Sequence, residues 1–135
     1  MGDKFPSDSW LKNLENKLNS DERYAQIAKN WEGDLCFVIE PDGNLEEQVI
    51  MYLDLWHGKC RKSQMEYDLS KHKPVFILKA PYSNFTRILL GQLDPIQAMM
   101  TRKLQVQGNM AVMMRSIPTV LDFVRCAREV TKEIL

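Results

Sequence analysis

The sequence lacks the short motifs that mark most enzyme active sites. It contains no Walker A run, no G-x-G-x-x-G, no G-x-S-x-G, no H-E-x-x-H and no C-x-x-C. These motifs are signatures of nucleotide sites, hydrolase nucleophiles, zinc centres and redox pairs. Their absence predicts that the chain is not an enzyme, and that it has no catalytic residue and no cofactor.

Histidine and cysteine are also too sparse to build a metal site. The only histidines are His57 and His72, and Cys60 follows His57 by three positions. Zinc takes about four protein ligands, or three plus a water, and no spacing here completes such a set. We therefore predict no metal. The catalytic alternative is an enzyme that uses Cys60, with its thiol pKa lowered by neighbouring cations, or Asp54 as a general base.

The sequence also lacks an excess of positive or negative charge. Eighteen basic and eighteen acidic residues give a formal net charge of zero. Nucleic-acid binding needs clustered positive charge, and anionic lipid surfaces attract the same kind of cluster. The balance therefore predicts no nucleic-acid partner and at most a transient contact with a membrane.

Long apolar runs are absent too. No stretch approaches the roughly 20 apolar residues of a transmembrane helix, and the opening residues MGDKFPSDSW lack the apolar core of a signal peptide. Cys36, Cys60 and Cys126 are scattered and odd in number, which favours free thiols in a reducing compartment. We expect a cytoplasmic protein, and its 135 residues suit one domain.

What the chain does contain is a dense segment, Gly91–Ile117, which holds five of the eight methionines. Asp94 followed by Pro95 predicts a capped helix over 95–101, because Asp accepts from free first-turn amides and Pro suits the first helical position. Alternating residues after it predict a short strand around 104–106. Asn109 then predicts the cap of a second short helix over 110–115.

Paired apolar residues distinguish these short helices. The pairs are Leu89-Leu90, Met99-Met100 and Met113-Met114. Neighbours on a helix point about 100° apart, so each pair spreads apolar surface over a wide arc that needs cover on more than one side. One side can pack on a sheet. The other can pack on more protein, as in an ordinary core, or it can line a cavity for an apolar ligand.

The remaining pattern predicts an α+β domain. Ser7 or Asp8 caps a first helix with a Leu11, Leu14 and Leu18 stripe, and Ser20 caps a second helix that reaches Trp31 and closes at Gly33. The predicted antiparallel strands are 35–40, 47–56, 63–70 and 75–79. The chain therefore divides into a helical hairpin (1–32), a four-strand sheet (34–80), short helices with a fifth strand (83–117) and a closing helix (119–135).

The methionine-rich segment resembles the signature region of the sterol carrier protein 2 family. The similarity lies in the order and spacing of Gly91, Leu93, Asp94, Pro95, Thr101, Lys103, Leu104, Val106, Gly108, Asn109 and Met110. It extends less specifically over about residues 20–120. Arg102 stands where members of the family often have glycine, and the chain ends Glu133-Ile134-Leu135 instead of the peroxisomal tripeptide.

The resemblance implies a five-stranded, mostly antiparallel sheet with helices over one face and an apolar tunnel between them. It implies non-enzymatic binding and transfer of fatty acyl chains, acyl thioesters or sterol-like lipids. Strand alternation and helix stripes then predict the residues of the wall: Phe37, Ile39, Tyr52, Phe85, Leu89, Met100, Leu104, Met110, Met113, Met114 and Phe123.

Two further features of this hypothesis stay open. The last helix, joined through Pro118, is the predicted lid, and a head-group contact is open to Arg23, Arg87, Arg102 or Arg115. The alternative function is an accessory or interaction module that has no ligand of its own. Its partner would be an enzyme of lipid metabolism or, as a homodimer, a second copy of the chain.

Overall fold

Helices pack on one face of a five-stranded sheet in the computed structural model, which describes residues 4–66, 68–71 and 73–135. The elements in chain order are β1 Lys4–Phe5, α1 Asp8–Ser20, α2 Glu22–Ile27, β2 Glu32–Glu40, β3 Val49–Trp56, β4 Lys59–Glu66, a short 3-10 helix Leu69–Lys71, β5 Phe76–Pro81, α3 Tyr82–Leu89, α4 Pro95–Met100, β6 Gln105–Gln107, α5 Met110–Arg115, α6 Ile117–Val130 and β7 Glu133–Ile134. This is the predicted α+β class.

The strand order in the sheet is β4-β3-β2-β5-β6. Three of its pairs are antiparallel, as predicted, and the β2–β5 pair is parallel. The expectation of four successive antiparallel strands is therefore wrong at one place. After β4 the chain does not turn back in a hairpin, and β5 instead passes β3 and pairs with the free edge of β2, so that Leu35 lies opposite Phe76. The sheet is mixed but mostly antiparallel.

The β3–β4 hairpin turns on only two residues, His57 and Gly58, whose φ angles are 50° and 80°. Positive φ at both positions is the geometry that joins twisted antiparallel strands with a two-residue turn. A Cβ on Gly58 would also lie 2.8 Å from the carbonyl oxygen of Ala25. The predicted strands end at residue 56 and resume at residue 63, which leaves a six-residue loop, whereas β4 begins at Lys59.

β4 also ends earlier than predicted. Its last residue is Glu66, and Leu69 belongs to the short 3-10 helix, where Ser70 donates to the Asp68 carboxylate. Tyr67, predicted to continue the strand, and His72 lie outside the described residues. Across the β3–β4 pair Met51 lies opposite Met65, and the register shifts between Asp54 and Leu55, so that Leu55 lies opposite Cys60.

The caps of the two short helices are present as predicted. The Asp94 carboxylate accepts from the backbone N–H groups of Ile96 and Gln97. The Asn109 side chain accepts in the same way from Ala111 and Val112. These bonds satisfy amides that a six-residue helix leaves free at its first turn, and they fix where α4 and α5 begin.

The first and last helices differ from the prediction at their ends. Asp21, not Ser20, caps α2, and the helix ends at Ile27. Trp31 therefore lies just before β2, and Gly33 is already in that strand. α6 begins at Ile117, because Pro118 suits the first turn and does not delay the helix.

The C-terminal segment after α6 is not helical. It ends in β7, where Ile134 pairs in parallel with Phe5 of β1.

Candidate functional site

A cavity of about 100 Å³ lies between the sheet and the helices. The sheet contributes its floor through Leu35, Phe37, Ile39, Met51, Leu55 and Leu78. The helices and short connections contribute Phe85, Ile88, Leu89, Pro95, Met99, Leu104, Met113, Val120, Phe123, Val124 and Ala127. Phe5, Trp10, Tyr24, Trp31 and Thr119 complete the wall. Almost every group in contact with this space is apolar.

Strand alternation explains the floor. Leu35, Phe37 and Ile39 occupy every second position of β2, so their side chains share the face that the helices cover. Phe37 is the centre of an aromatic cluster: its ring meets the Phe85 ring edge-on at 5.9 Å and stacks on the Phe123 ring at 5.8 Å. One strand and two helices therefore meet at this residue.

The eleven residues predicted for the wall divide into two groups. Seven lie in the lining: Phe37, Ile39, Phe85, Leu89, Leu104, Met113 and Phe123. Four do not: Tyr52, Met100, Met110 and Met114. Whether any of the seven contacts a ligand stays a prediction.

Tyr52 lies on the opposite face of the sheet. The register places Cys36 opposite Tyr52 and Phe37 opposite Met51, so Tyr52 shares a face with Cys36 and Met51 shares one with Phe37. The Tyr52 hydroxyl donates to the Asp34 carboxylate at 2.8 Å. The alternation on β3 was predicted correctly, but the wrong one of its two apolar faces was assigned to the cavity.

Two of the three methionines that were predicted for the wall but do not line the cavity belong to the apolar pairs. Met99 lines the cavity and Met100, the predicted residue, is 69% exposed. In the second pair Met113 lines the cavity and Met114 lies beside it, half-buried. Neighbours on a helix diverge by about 100°, so only one of each pair reaches the space. Met110, at the exposed start of α5, does not reach it either.

Sequence reasoning missed several lining residues. Trp10 belongs to the stripe of α1, and its burial was predictable although its contact with the cavity was not. Trp31 was predicted on the stripe of the second helix, but it follows the end of α2, and its indole N–H donates to the Gly33 carbonyl at 2.9 Å. Leu78 alternates on β5 and faces the cavity only because β5 pairs with β2.

The four arginines proposed for a head group lie outside the cavity wall of the described chain. Arg23 forms an ion pair with Asp122 at 3.3 Å, while Arg87, Arg102 and Arg115 are exposed.

An ion-pair network fastens α6 to the first two helices. Arg125 donates to the carboxylates of Asp21, Asp122 and Glu129 at 2.7–3.2 Å. Lys17 bridges Asp21 and Glu129 at 3.1 and 2.7 Å. Hydrogen bonds from Arg125 and from the backbone hold the pKa of Asp21 well below its usual range. The predicted lid is therefore bound along its length.

We expect Asp21→Asn to weaken this network while keeping the cap of α2, since Asn also accepts from the Tyr24 N–H. The free energy of unfolding at neutral pH should fall by about 2 kcal/mol, the worth of hydrogen bonds to a charged group. The folded-state pKa is lowered, so ionised Asp21 stabilises the fold above the ordinary value of 3.8. Urea denaturation should show the difference shrinking as pH falls below that value. A difference independent of pH would contradict the assignment.

The groups considered for catalysis do not form a reactive site. Burial raises the pKa of the Cys60 thiol to about 12, the reverse of the predicted lowering, and its Sγ donates to the Lys62 carbonyl. Asp54 holds Arg61 through two hydrogen bonds at 3.0 and 3.1 Å. Burial likewise raises the pKa of Cys36 and Cys126 to about 11. A thiol that stays protonated is a poor nucleophile.

One group of potential metal ligands occurs among the described residues. Asp21, Asp122 and Cys126 have ligand atoms within 4.8 Å of one another. Arg125 already binds both carboxylates, so their charge is compensated by a side chain.

In the described part of the chain, no helix has the length and apolarity needed to cross a membrane.

These observations define a class of protein: an α+β domain with an apolar cavity between its sheet and its helices. The model of the SCP-2 sterol transfer family matches residues 11–120, and the chain belongs to that family. A search among curated proteins finds no match.

Similar solved structures support the membership of this family. A sterol carrier protein 2 crystal structure is 29% identical, covers 91% of this chain and 96% of its own, and has a TM-score of 0.83. The conserved hypothetical protein TT1886 of Thermus thermophilus, possibly a sterol carrier protein, is 30% identical over 93% and 88% of the two chains, with the same TM-score of 0.83. A fold-level match is the sec-alkylsulfatase Pisa1 of a Pseudomonas species, 16% identical, where the match covers 88% of this chain and only 16% of the enzyme at a TM-score of 0.56.

Proposed function

We propose that this protein binds and transfers apolar molecules with an alkyl or sterol-like body, without catalysing a reaction on them. The observation that carries the proposal is an apolar cavity between the sheet and the helices in a chain of the SCP-2 sterol transfer family. Binding of this kind requires apolar lining and a wall that can move, and it requires no reactive group.

Burial of apolar surface supplies the affinity. Each methylene removed from water contributes roughly 0.8 kcal/mol, so ten methylenes contribute about 8 kcal/mol before the costs of association are subtracted. Those costs leave a net affinity suited to reversible carriage, in which a ligand must also leave.

The wall must expand to admit such a ligand. A volume of about 100 Å³ is smaller than that of an engineered cavity of roughly 150 Å³ that binds benzene, and a long alkyl chain needs more room. Met51, Met99 and Met113 line the space, and methionine side chains repack easily. Expansion into a tunnel is therefore part of the proposal.

The segment we propose to move is α4 to α5, in place of the α6 lid. α6 is held at its start by Thr119, which donates to the Ile27 carbonyl, and near its end by Thr131, which accepts from the Trp10 indole. α4 and α5 have six residues each, and Met113 is the one buried residue of α5. Short, partly exposed elements open at lower cost than a helix fixed by ion pairs.

Intrinsic tryptophan fluorescence tests the binding directly. Trp10 and Trp31 line the cavity, while Trp56 is outside it and stacks on His57. A long-chain alcohol brominated in mid-chain should quench the tryptophan fluorescence of a Trp56→Phe variant, which keeps Trp10 and Trp31. Bromine quenches a tryptophan only at close contact, so quenching places the chain in the cavity. In the matched variant with Trp10→Phe and Trp31→Phe, the fluorescence of the remaining Trp56 should not be quenched. Equal quenching of both variants, or quenching of neither, would refute a cavity-bound chain.

A second candidate is an accessory domain without its own ligand. It is supported by the match to part of the Pisa1 chain, which shows the fold within a longer enzyme. This candidate would be favoured if no brominated apolar ligand quenched the fluorescence of the Trp56→Phe variant and the protein co-purified with an enzyme partner or formed a homodimer. The cytoplasmic location stays a prediction.

A further inference from the structure

The apolar pairs of the methionine-rich segment have outer members that the cavity does not use. Leu89 and Met99 line the cavity, while their neighbours Leu90 and Met100 are 58% and 69% exposed. Because the lining members meet at one cavity, their neighbours lie on the outer surface of the same wall. Of the seven large apolar side chains that are exposed in the described chain, four lie within residues 90–121: Leu90, Met100, Met110 and Leu121.

The same segment has an excess of positive charge, although the whole chain is balanced. Residues 87–115 contain four of the eighteen basic residues and one of the eighteen acidic residues, Asp94, whose carboxylate caps α4. The four basic side chains are exposed and form no ion pair within the described chain: Arg87, Arg102, Lys103 and Arg115. We call these four residues, together with Leu90, Met100 and Met110, the outer face.

Arg102 holds one of these charges at a position that suits glycine better. It follows Thr101 at the end of α4, and its φ angle of 61° lies in the left-handed region. A side chain is strained there, and many helices end on glycine at this position. The Arg102 guanidinium forms no hydrogen bond or ion pair with a described residue that would offset the strain. An arginine at such a position indicates a partner outside the fold.

The combination of charge and apolar surface decides which partner fits the outer face. A nucleic acid would pair with the cations but would leave Leu90 and Met100 without cover. A second copy of the chain in a two-fold contact would bring the same cations face to face. A bilayer with anionic head groups meets both requirements, because apolar side chains enter its interface while arginines reach the charged head groups.

We propose that the outer face docks this protein on an anionic lipid bilayer. Leu90, Met100 and Met110 enter the head-group region, and the four cations bind the charged groups around them. Docking requires no bound ligand, whereas exchange of ligand at this face rests on the proposed function. The face lies outside the α4 to α5 segment that we propose to move, so a lipid would pass between bilayer and cavity at the point of contact.

Co-sedimentation with lipid vesicles tests the docking without any ligand. Vesicles of equal parts phosphatidylcholine and phosphatidylserine should bind wild type, phosphatidylcholine alone should bind it much more weakly, and salt should weaken the binding. Arg102→Gly should lower the affinity for the mixed vesicles about fivefold, since one cation near an anionic surface contributes about 1 kcal/mol. Its melting temperature should stay the same or rise, because the backbone strain is relieved.

Two further variants separate the outer face from charge in general. Met100→Ser keeps every charge and should lower the affinity about tenfold, because an apolar side chain no longer enters the interface. Lys59→Gln is the matched control: it removes an exposed cation from β4, at the opposite edge of the sheet from β6, and should bind as wild type does. Equal weakening by Lys59→Gln and Arg102→Gly, or wild-type binding by Met100→Ser, overturns the proposal.

Failure of the docking and failure of the proposed function are distinguishable. Quenching by the brominated alcohol, measured without vesicles, should be unchanged in Arg102→Gly and Met100→Ser, because neither side chain lines the cavity. Absence of wild-type binding to the mixed vesicles overturns the docking alone. Vesicle binding without quenching supports the docking and overturns the proposed function.

Discussion

Replacing Ala127 with phenylalanine should remove most of the binding of long-chain ligands while leaving the fold in place. Ala127 is a buried residue of α6 and lines the cavity. An added ring fills a space of about 100 Å³, because a cavity of roughly 150 Å³ already holds a whole benzene molecule, and the resulting overpacking typically costs about 1–3 kcal/mol of stability. If about three methylenes of ligand lose their place, the affinity falls by about 2.4 kcal/mol, or roughly fiftyfold.

The controls separate a filled cavity from a damaged fold. Ala127→Leu fills less of the space and should give an intermediate loss of affinity, with a smaller cost in stability. Ala111→Phe adds the same ring at an exposed position of α5 and should bind as wild type does. Titration of the Trp56→Phe background with the brominated alcohol measures all three. Wild-type affinity in a folded Ala127→Phe protein would show that the ligand lies elsewhere.

Local patterns predicted the parts of the site that depend on near neighbours in sequence. Alternation along β2 identified Phe37 and Ile39, and the helix stripe identified Phe123. The caps at Asp94 and Asn109 also follow from a few adjacent residues. Each of these features is decided by backbone geometry within one turn or one strand, which is what a sequence pattern records.

The predictions were wrong where the position of a residue depends on contacts between parts of the chain that are distant in sequence. The parallel pairing of β5 with β2 places Leu78 at the cavity, and nothing local distinguishes a parallel partner from an antiparallel one. Which of the two apolar faces of β3 points to the cavity depends on the side of the sheet that the helices cover. The sequence pattern does not record that side, and Tyr52 was therefore assigned to the wrong face. Met99 and Met100 are chemically equal, so only packing decides between them.

The largest loss of stability is expected for Asp122→Ala. Two hydrogen bonds at 2.8 and 3.0 Å join this carboxylate to Arg125, and its side chain is only 2% exposed. Removing Asp122 takes away two hydrogen bonds to a charged group and leaves Arg125 with Asp21 and Glu129 as its carboxylate partners, which should cost about 3 kcal/mol. The loss should appear as a lower urea midpoint, and the opening of α6 should make amide exchange in that helix faster.

Asp54→Ala is the matched control for this prediction. Asp54 also holds an arginine, Arg61, through two hydrogen bonds, but its side chain is 23% exposed and that of Arg61 is 52% exposed. Water screens such a pair, so its loss should cost less than about 1 kcal/mol. Both aspartates hold an arginine through two hydrogen bonds, so the difference in stability reflects the deeper burial of Asp122 and its place in the larger network. Equal losses in Asp122→Ala and Asp54→Ala would show that the network does not fasten α6 to α1 and α2.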